Sequence, residues 1–258
     1  AGRSNPNSLS LVDWFWVACH VGLSYLDVQA LRAALTRHDP VAVRFGGHTQ
    51  LMRHWCLSLS LAYHAAFLVA AIFVEPHPQK YNQRVHRRRE SIYAGTARLG
   101  SMLVPFSAVV AAASGALALL DAHAGAETRR ELFPDLWGDY GVAAQAWVLV
   151  VVARPRHWSS GAARFLRKTG VFLEIDIGDS GVHRILWAYL FWVAVCRVTG
   201  GRWPYPALQA AEKHATGFGF GMQLFGIVVA LQGCAWVAWR LAGAIAPQPK
   251  VTSVGHPE

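Results

Sequence analysis

Residues 217–246 read GFGFGMQLFGIVVALQGCAWVAWRLAGAIA, and Arg240 is the single charged residue in this run. A helix needs about 20 mostly apolar residues to cross the hydrocarbon core of a bilayer. This run is long enough to cross with some tilt. We therefore interpret Gly217–Ala246 as a membrane span, and we ask how many similar runs precede it.

Five further apolar stretches precede that run, at Leu11–Ala34, Leu51–Val74, Gly95–Leu120, Tyr140–Ala153 and Gly181–Gly200. The predicted fold class is all-α: a polytopic membrane protein of about six transmembrane helices, with both termini on the same side. The predicted organisation is an N-terminal segment over residues 1–10, a single six-helix transmembrane domain over 11–246 and a C-terminal tail over 247–258.

The composition favours a membrane protein over a water-soluble one. Hydrophobic residues make up 53% of the chain and charged residues 15%, against about 25% charged in an average soluble domain. Many of the eleven tryptophans lie near the ends of the predicted spans, where indole rings meet the membrane–water interface. Helices that are apolar on all sides leave no face for water.

The basic residues predict an orientation. Most of the Lys and Arg side chains fall in the connections on the side of the two termini, so the positive-inside rule predicts that both termini lie on the cytoplasmic or matrix side. The net charge of +9 and the first residue, Ala1 in place of methionine, favour the mitochondrial inner membrane after removal of a targeting segment.

The same charge does not indicate nucleic acid as a partner, because the basic clusters flank spans. Juxtamembrane cations attract anionic head groups. The predicted partners are other membrane subunits and anionic phospholipids such as cardiolipin. The predicted lipid-binding residues are Arg84, Arg87, Arg88, Arg89, Arg164, Arg167 and Lys168.

The metal-binding residue types predict no metal site and no cofactor. All four cysteines fall in or at the edge of predicted spans, and no CxxC pair exists, which is typical of small buried apolar residues. His20 and His64 lie on two different spans and could in principle ligate a haem, but we predict none.

Polar residues recur on one face of each of the first two spans. Asp13, His20 and Asp27 are spaced by seven, and so are Arg53 and Ser60, with His64 four residues later. This spacing keeps each set on one helix face. Ionisable groups are costly in hydrocarbon unless they have a partner or a cavity. We predict that the two faces meet, that Asp27 approaches Arg53, and that a buried polar cluster forms from Asp13, His20, Asp27, Arg53 and His64.

Two interpretations of these polar faces remain open. The cluster is either a pocket for a lipid head group or an acid–base site, or it is a set of groups that satisfy each other and fix the helix register. For the first interpretation, the candidate catalytic residues are Thr49, Ser60, His64 and His20, since Ser60 and His64 are one helical turn apart.

Several local patterns carry a family resemblance, and they follow one another in order over nearly the whole chain. They are Phe45-Gly46-Gly47, the basic connector Gln83–Glu90, Pro105, Glu131-Leu132-Phe133-Pro134, Leu190-Phe191-Trp192, Val198-Thr199-Gly200 and Trp203-Pro204-Tyr205-Pro206. On these motifs the chain resembles the androgen-induced-protein family, which includes the androgen-dependent TFPI-regulating proteins.

The resemblance implies a multi-span fold and, for the family, hydrolysis of lipid esters with a threonine nucleophile and a histidine. The matching positions in this chain are Arg53 and Val150. A guanidinium cannot accept an acyl group, and a valine cannot take a proton. The leading hypothesis is therefore a non-catalytic scaffold, an accessory subunit of a mitochondrial inner-membrane complex. The alternative is a lipid esterase with a displaced Thr or Ser nucleophile.

Overall fold

The structure, a computed structural model, describes residues 11–36, 51–71, 83–123, 136–152, 181–203, 205–215 and 217–245. Every regular element in these ranges is helical. The helices are α1 (Leu11–Thr36), α2 (Met52–Val69), α3 (Gln83–His123), α4 (residues 137–152), α5 (Gly181–Gly200), α6 (Pro206–His214) and α7 (Gly217–Ile245). Within α4, the π-helical turns Trp137–Gly141 and Trp147–Val152 flank the α-helical turn Val142–Ala146.

The all-α class is confirmed for the described residues, and the described part of each predicted span is helical apart from Leu51. Within the described ranges, two helices are long and apolar enough to cross a membrane, over Leu99–Ala116 of α3 and Gly217–Ala242 of α7. Six crossings and the side of the termini remain predictions. The predicted tail and N-terminal segment lie outside the described residues.

Helix α3 begins well before its predicted span. The segment Gln83–Glu90, which the sequence indicated as a basic connector, forms the first turns of this 41-residue helix. Gln, Arg and Glu all have high helix propensity, so a charged segment continues the helix beyond the apolar run. Pro105 cannot donate to the carbonyl four residues earlier, yet the helix is continuous through it.

The core lies where α2, α3, α4 and α5 meet. Helix α2 packs against both α1 and α3, and α7 packs on the other side of α3. The largest fully buried apolar side chains are Leu57, Leu103, Phe106, Leu186 and Tyr189. In α2 these apolar side chains are buried beside polar ones, because His54, Ser60 and His64 are buried on the same helix.

A tight corner joins α5 to α6, a short helix that the sequence did not predict. Gly201, with a φ of 72°, ends α5 and donates its N–H to the Arg197 carbonyl at 2.9 Å. A residue with a side chain adopts this backbone conformation only at a cost. The Arg197 guanidinium then pairs with Glu212 of α6 at 2.7 Å, which holds α6 back against the end of α5.

Tyr205 lies at this corner and connects it to the beginning of α2. Its hydroxyl accepts a hydrogen bond from the Met52 N–H at 3.1 Å and lies 2.8 Å from the Tyr189 hydroxyl. The first N–H groups of a helix have no partner within the helix, and Leu51 provides no side-chain cap. The Trp203-Pro204-Tyr205-Pro206 motif therefore supplies a cap to α2 from a residue that is distant in sequence.

Candidate functional site

The polar faces of α1 and α2 meet in the interior. Ser60 Oγ donates to Asp27 Oδ2 at 2.6 Å, and the Nδ1 atoms of His20 and His64 lie 2.8 Å apart. The exposed fraction of all four side chains is 0%. The prediction that the two faces meet is confirmed.

Helix α4 completes the cluster with two side chains. Trp137 Nε1 donates to Asp27 Oδ1 at 2.8 Å. Gln145 Nε2 lies 3.0 Å and 3.2 Å from the two Asp27 oxygens and 3.0 Å from Ser60 Oγ. We refer to the six residues Asp27, Ser60, His20, His64, Trp137 and Gln145 as the polar network.

The hydrogen bonds of the polar network have one consistent direction. A carboxylate only accepts, so the Gln145 amide N–H faces Asp27 and its Oε1 faces His64 Nε2, 3.3 Å away. His64 Nε2 therefore carries a proton, and in the neutral ring Nδ1 is bare and accepts from His20 Nδ1. Ser60 Oγ, Trp137 Nε1 and Gln145 Nε2 all donate to Asp27, whose Oδ2 also lies 3.7 Å from His64 Nε2.

Aromatic rings close the network at its His20 end. The His20 ring stacks on Phe67 with centroids 3.6 Å apart and planes at 8°, and Tyr63 lies against both imidazoles at 5.6–5.7 Å. Phe67 and Tyr63 are themselves buried. Polar atoms in such a low-dielectric setting interact strongly, but they are costly when a partner is lost.

A glycine makes room for the Trp137 donor. A Cβ atom at Gly141 would lie 2.6 Å from the Trp137 ring, which is closer than any side chain tolerates. The indole folds across the backbone one turn later within the π-helical segment Trp137–Gly141. Wider π-helical turns are frequent at functional sites; here the turn directs an indole N–H at a buried carboxylate.

The expected contact between Asp27 and Arg53 is replaced by the partners just described. Arg53 instead lies beside α4, where its Cδ atom is 3.9 Å from a Cβ position at Gly138, and its charge acts on Tyr205. Arg53 lies seven residues before Ser60 and so shares its face of α2, two turns nearer the beginning of the helix. Ser60 is the residue level with Asp27, and Arg53 lies beside α4 near the α5–α6 corner.

Among the catalytic candidates, Ser60 and His64 do not form a nucleophile–base pair with each other. Ser60 bonds to Asp27 and Gln145, and His64 bonds to Gln145 and His20, so the i, i+4 spacing on α2 does not join the two side chains. Thr49 lies outside the described residues. The Nδ1 atoms of the two imidazoles are at the hydrogen-bonding distance of 2.8 Å, whereas two nitrogens on one tetrahedral zinc lie about 3.3 Å apart.

The remaining predicted residues can be placed only in part. Asp13 is in α1, Val150 is in the second π-helical segment of α4, and the first basic cluster is in α3, but their side chains are not described. Arg164, Arg167 and Lys168 lie outside the described residues. Among the described residues, no three His, Cys, Asp or Glu side chains could hold a metal ion together.

Two members of the network were not predicted, Gln145 and Trp137. The signal was present for Gln145, which is the single amide side chain in residues 137–152. An amide within an otherwise apolar span has the same need of a partner as the histidines do. Trp137 lies near the end of a predicted span, where an indole ring is expected at the membrane–water interface.

Comparison of the chain with family models, with curated proteins and with solved structures gives no match.

Proposed function

We propose that this chain is a non-catalytic integral membrane protein of six spans, an accessory subunit that packs against partner helices and holds lipids. Its outward surface supports the membrane assignment. Large apolar side chains are exposed on the outer helices, including Phe191 at 71%, Phe218 at 84% and Phe225 at 63%. Extensive exposed apolar surface marks a membrane or a protein partner.

The observation that carries the non-catalytic assignment is the hydrogen bond from Ser60 to Asp27 within a network that is 0% exposed. A nucleophile needs a base at its hydroxyl and an open position where the acyl carbon can approach. Ser60 has a carboxylate at its hydroxyl, but packed side chains occupy the space around it. The network is thus suited to fixing the relative positions of α1, α2 and α4.

A fluorophosphonate probe tests this assignment directly. Purified protein should remain unlabelled, and Ser60→Ala should give the same result. Labelling of the wild type that disappears in Ser60→Ala would contradict the scaffold proposal and establish the alternative. Turnover of a fatty-acid ester by the purified wild type, lost in the same variant, would do so as well.

That alternative is a membrane lipid esterase with a displaced nucleophile, and one observation favours it. A serine hydroxyl, a carboxylate and an imidazole belong to one connected network, and Ser60 is only 2.6 Å from Asp27. Such a site would require α1 or α4 to move before a substrate could reach Ser60. Thr49→Ala is the matching variant for a threonine nucleophile.

We also propose that the scaffold belongs to the androgen-induced-protein family. The support is the motif Trp203-Pro204-Tyr205-Pro206, whose tyrosine caps α2. If the family dyad was lost at Arg53 and Val150, the double variant Arg53→Thr/Val150→His should gain fluorophosphonate labelling that neither single variant shows. No gain of labelling would argue against this kinship.

The subunit role and the compartment have their own test. After native membranes are solubilised in mild detergent, the chain should migrate with a large complex in the mitochondrial inner-membrane fraction. Migration as a free monomer would contradict the subunit proposal. Recovery in a complex of another organelle would contradict the mitochondrial location but not the proposed subunit role.

A further inference from the structure

A lateral groove separate from the polar network opens between α2 and α5. Its volume is about 610 Å³, within the range of about 300–1,000 Å³ that small-molecule sites occupy. Helix α2 lines it with His54, Trp55, Ser58 and Leu59, and α5 with Arg184, Ile185 and Ala188.

The groove is apolar along most of its length and carries a charge on one wall. Trp55, Leu59, Ile185 and Ala188 form its apolar surface. Trp55 is held by an edge-to-face contact with Tyr189, with centroids 5.6 Å apart, so this wall is fixed by the core. On the other helix, the exposed Arg184 presents a guanidinium, whose planar fork of donors matches the two oxygens of a carboxylate or phosphate.

The position of Arg184 along the bundle decides which ligands can reach it. Its neighbour His183 contacts Gln232 of α7 through Nδ1. Gln232 lies within the apolar stretch Gly217–Ala242 of α7, about 15 Å from the Ala242 end at 1.5 Å per residue. Arg184 itself is only three residues from the beginning of the predicted span Gly181–Gly200, about 4–5 Å along the axis, so in a membrane its long side chain can extend to the nearer head groups.

We infer that the groove between α2 and α5 binds a single-chain anionic amphiphile, with its acid head group at Arg184 and its hydrocarbon chain along Trp55, Leu59 and Ile185. The ligand class follows from the combination of an apolar channel and one exposed guanidinium. The acid is a carboxylate, as in a fatty acid, or a phosphate, as in a lysophospholipid. This inference rests on the membrane assignment proposed above, and it assigns lipid binding to residues apart from the basic clusters.

A photoactivatable C16 diazirine fatty acid, incubated with the full chain in non-ionic detergent, tests the site. Mapping the adducts by mass spectrometry should place them in residues 54–59 and 184–188. Arg184→Gln should reduce this labelling roughly tenfold, since a hydrogen bond to a charged group is of that strength. Ala188→Trp should block the groove and reduce labelling while Arg184 is intact.

Arg240→Gln is the matched control, because Arg240 is an exposed arginine on α7 that stacks on Trp236 at 5.1 Å and does not line the groove. It should leave labelling unchanged. Equal losses in the Arg184 and Arg240 variants, or adducts spread evenly over the outer faces of α1 and α7, would overturn the inference.

Competition distinguishes the head groups. Unlabelled palmitate and lysophosphatidic acid should both displace the probe, and the stronger of the two identifies the acid, while hexadecanol should not compete. Equal competition by the alcohol would overturn the role of Arg184. Cross-linking of Ser58→Cys to another polypeptide in native membranes would assign the groove to a partner helix and would also overturn it.

The failure of this inference is distinguishable from failure of the membrane assignment. Release of the chain from native membranes by alkaline carbonate would contradict the membrane assignment, on which the groove inference depends. A chain that resists carbonate but shows no labelling in residues 54–59 and 184–188 would contradict the groove alone.

Discussion

Helix α7 and the polar network differ strongly in how deeply their side chains are buried. Only 6% of the apolar stretch of α7 is buried, against 44% of the apolar stretch of α3 on which it packs. The network side chains Asp27, His64 and Ser60 are 0% exposed. Among the described residues, a polar network is thus enclosed in the apolar core while α7 exposes large apolar side chains, a surface that a water-soluble domain rarely shows.

The two regions also differ in how specifically they are held. Four donor atoms from α2 and α4 lie within hydrogen-bonding or ion-pair distance of Asp27. Helix α7 is attached mainly by apolar packing and by the contact between Gln232 and His183. Apolar packing alone discriminates poorly between helix registers in lipid, whereas buried hydrogen bonds require one arrangement. We therefore expect substitutions in the polar network to lower the free energy of unfolding far more than substitutions on the outer face of α7.

The largest effect is expected at the acceptor of the network. Asp27→Leu should lower the free energy of unfolding by about 3–5 kcal/mol, because each buried donor left without an acceptor costs about 1–3 kcal/mol. SDS titration of the purified protein in mixed micelles measures the free energy of unfolding. Asp27→Asn, which keeps one acceptor oxygen, should lose about half as much. A loss below about 1 kcal/mol for the leucine variant would mean that the network does not organise the bundle.

A smaller effect is expected where α4 makes room for the indole. Gly141→Ala would bring a methyl group within 2.6 Å of the Trp137 ring and should cost about 1–3 kcal/mol, as overpacking does. The variant Gly22→Ala, at a helical site with nothing within 4 Å, should be neutral or slightly stabilising. In Trp137→Phe the Gly141 effect should shrink, and strict additivity of the two changes would contradict the proposed contact.

The cap on α2 should contribute less again. Tyr205→Phe removes the acceptor for the Met52 N–H and should cost about 1 kcal/mol. Burial raises the pKa of Tyr205 above its usual value. The neutral phenol therefore stabilises the fold at pH values below the unfolded pKa of about 10, and this contribution is lost as the pH rises through the folded pKa.

The pH dependence separates the cap from a general packing effect. Between pH 9 and about 11, the wild type should lose stability more steeply than Tyr205→Phe. Tyr25→Phe, at a tyrosine that is 62% exposed, should behave like the wild type. Parallel pH curves for the wild type and Tyr205→Phe would contradict the role of the buried hydroxyl.

The smallest effect is expected on the outer face of α7. Phe225→Ala should change the free energy of unfolding by less than about 0.5 kcal/mol in detergent, although the same substitution at the buried Phe106 should cost about 3–5 kcal/mol. If the two variants were equally destabilised, α7 would be covered by protein in solution, and the contrast between the two regions would not hold.

The sequence predicts the helices well because apolar runs of this length have few other interpretations. It predicts the ends of α3 and the existence of α6 poorly. Gln83–Glu90 is helical by propensity without being apolar, and Pro206–His214 is too short and too polar to resemble a span. Hydropathy locates the part of a helix that lies in lipid, whereas the full extent of the helix depends on local propensity and tertiary contacts.

The sequence predicts which polar residues share a helix face, but not which further helix that face contacts. Spacing by seven places His20 and Asp27 on one face of α1, with Ser60 and His64 on one face of α2, and those faces do meet. Spacing cannot identify which third helix supplies the remaining donors. The choice of Gln145 and Trp137 over Arg53 depends on how α4 packs, and that is a property of the whole bundle.

The length of α3 has a consequence for where its basic end acts. Its apolar stretch begins at Leu99, so in a bilayer Arg89 and Arg84 would stand about 15 Å and 22 Å beyond the hydrocarbon edge along an untilted axis. The head-group layer is only about 5–8 Å deep on each side. A straight α3 would therefore place helix positions 84 and 89 in the aqueous compartment, so the predicted contact of this segment with lipid head groups requires α3 to tilt.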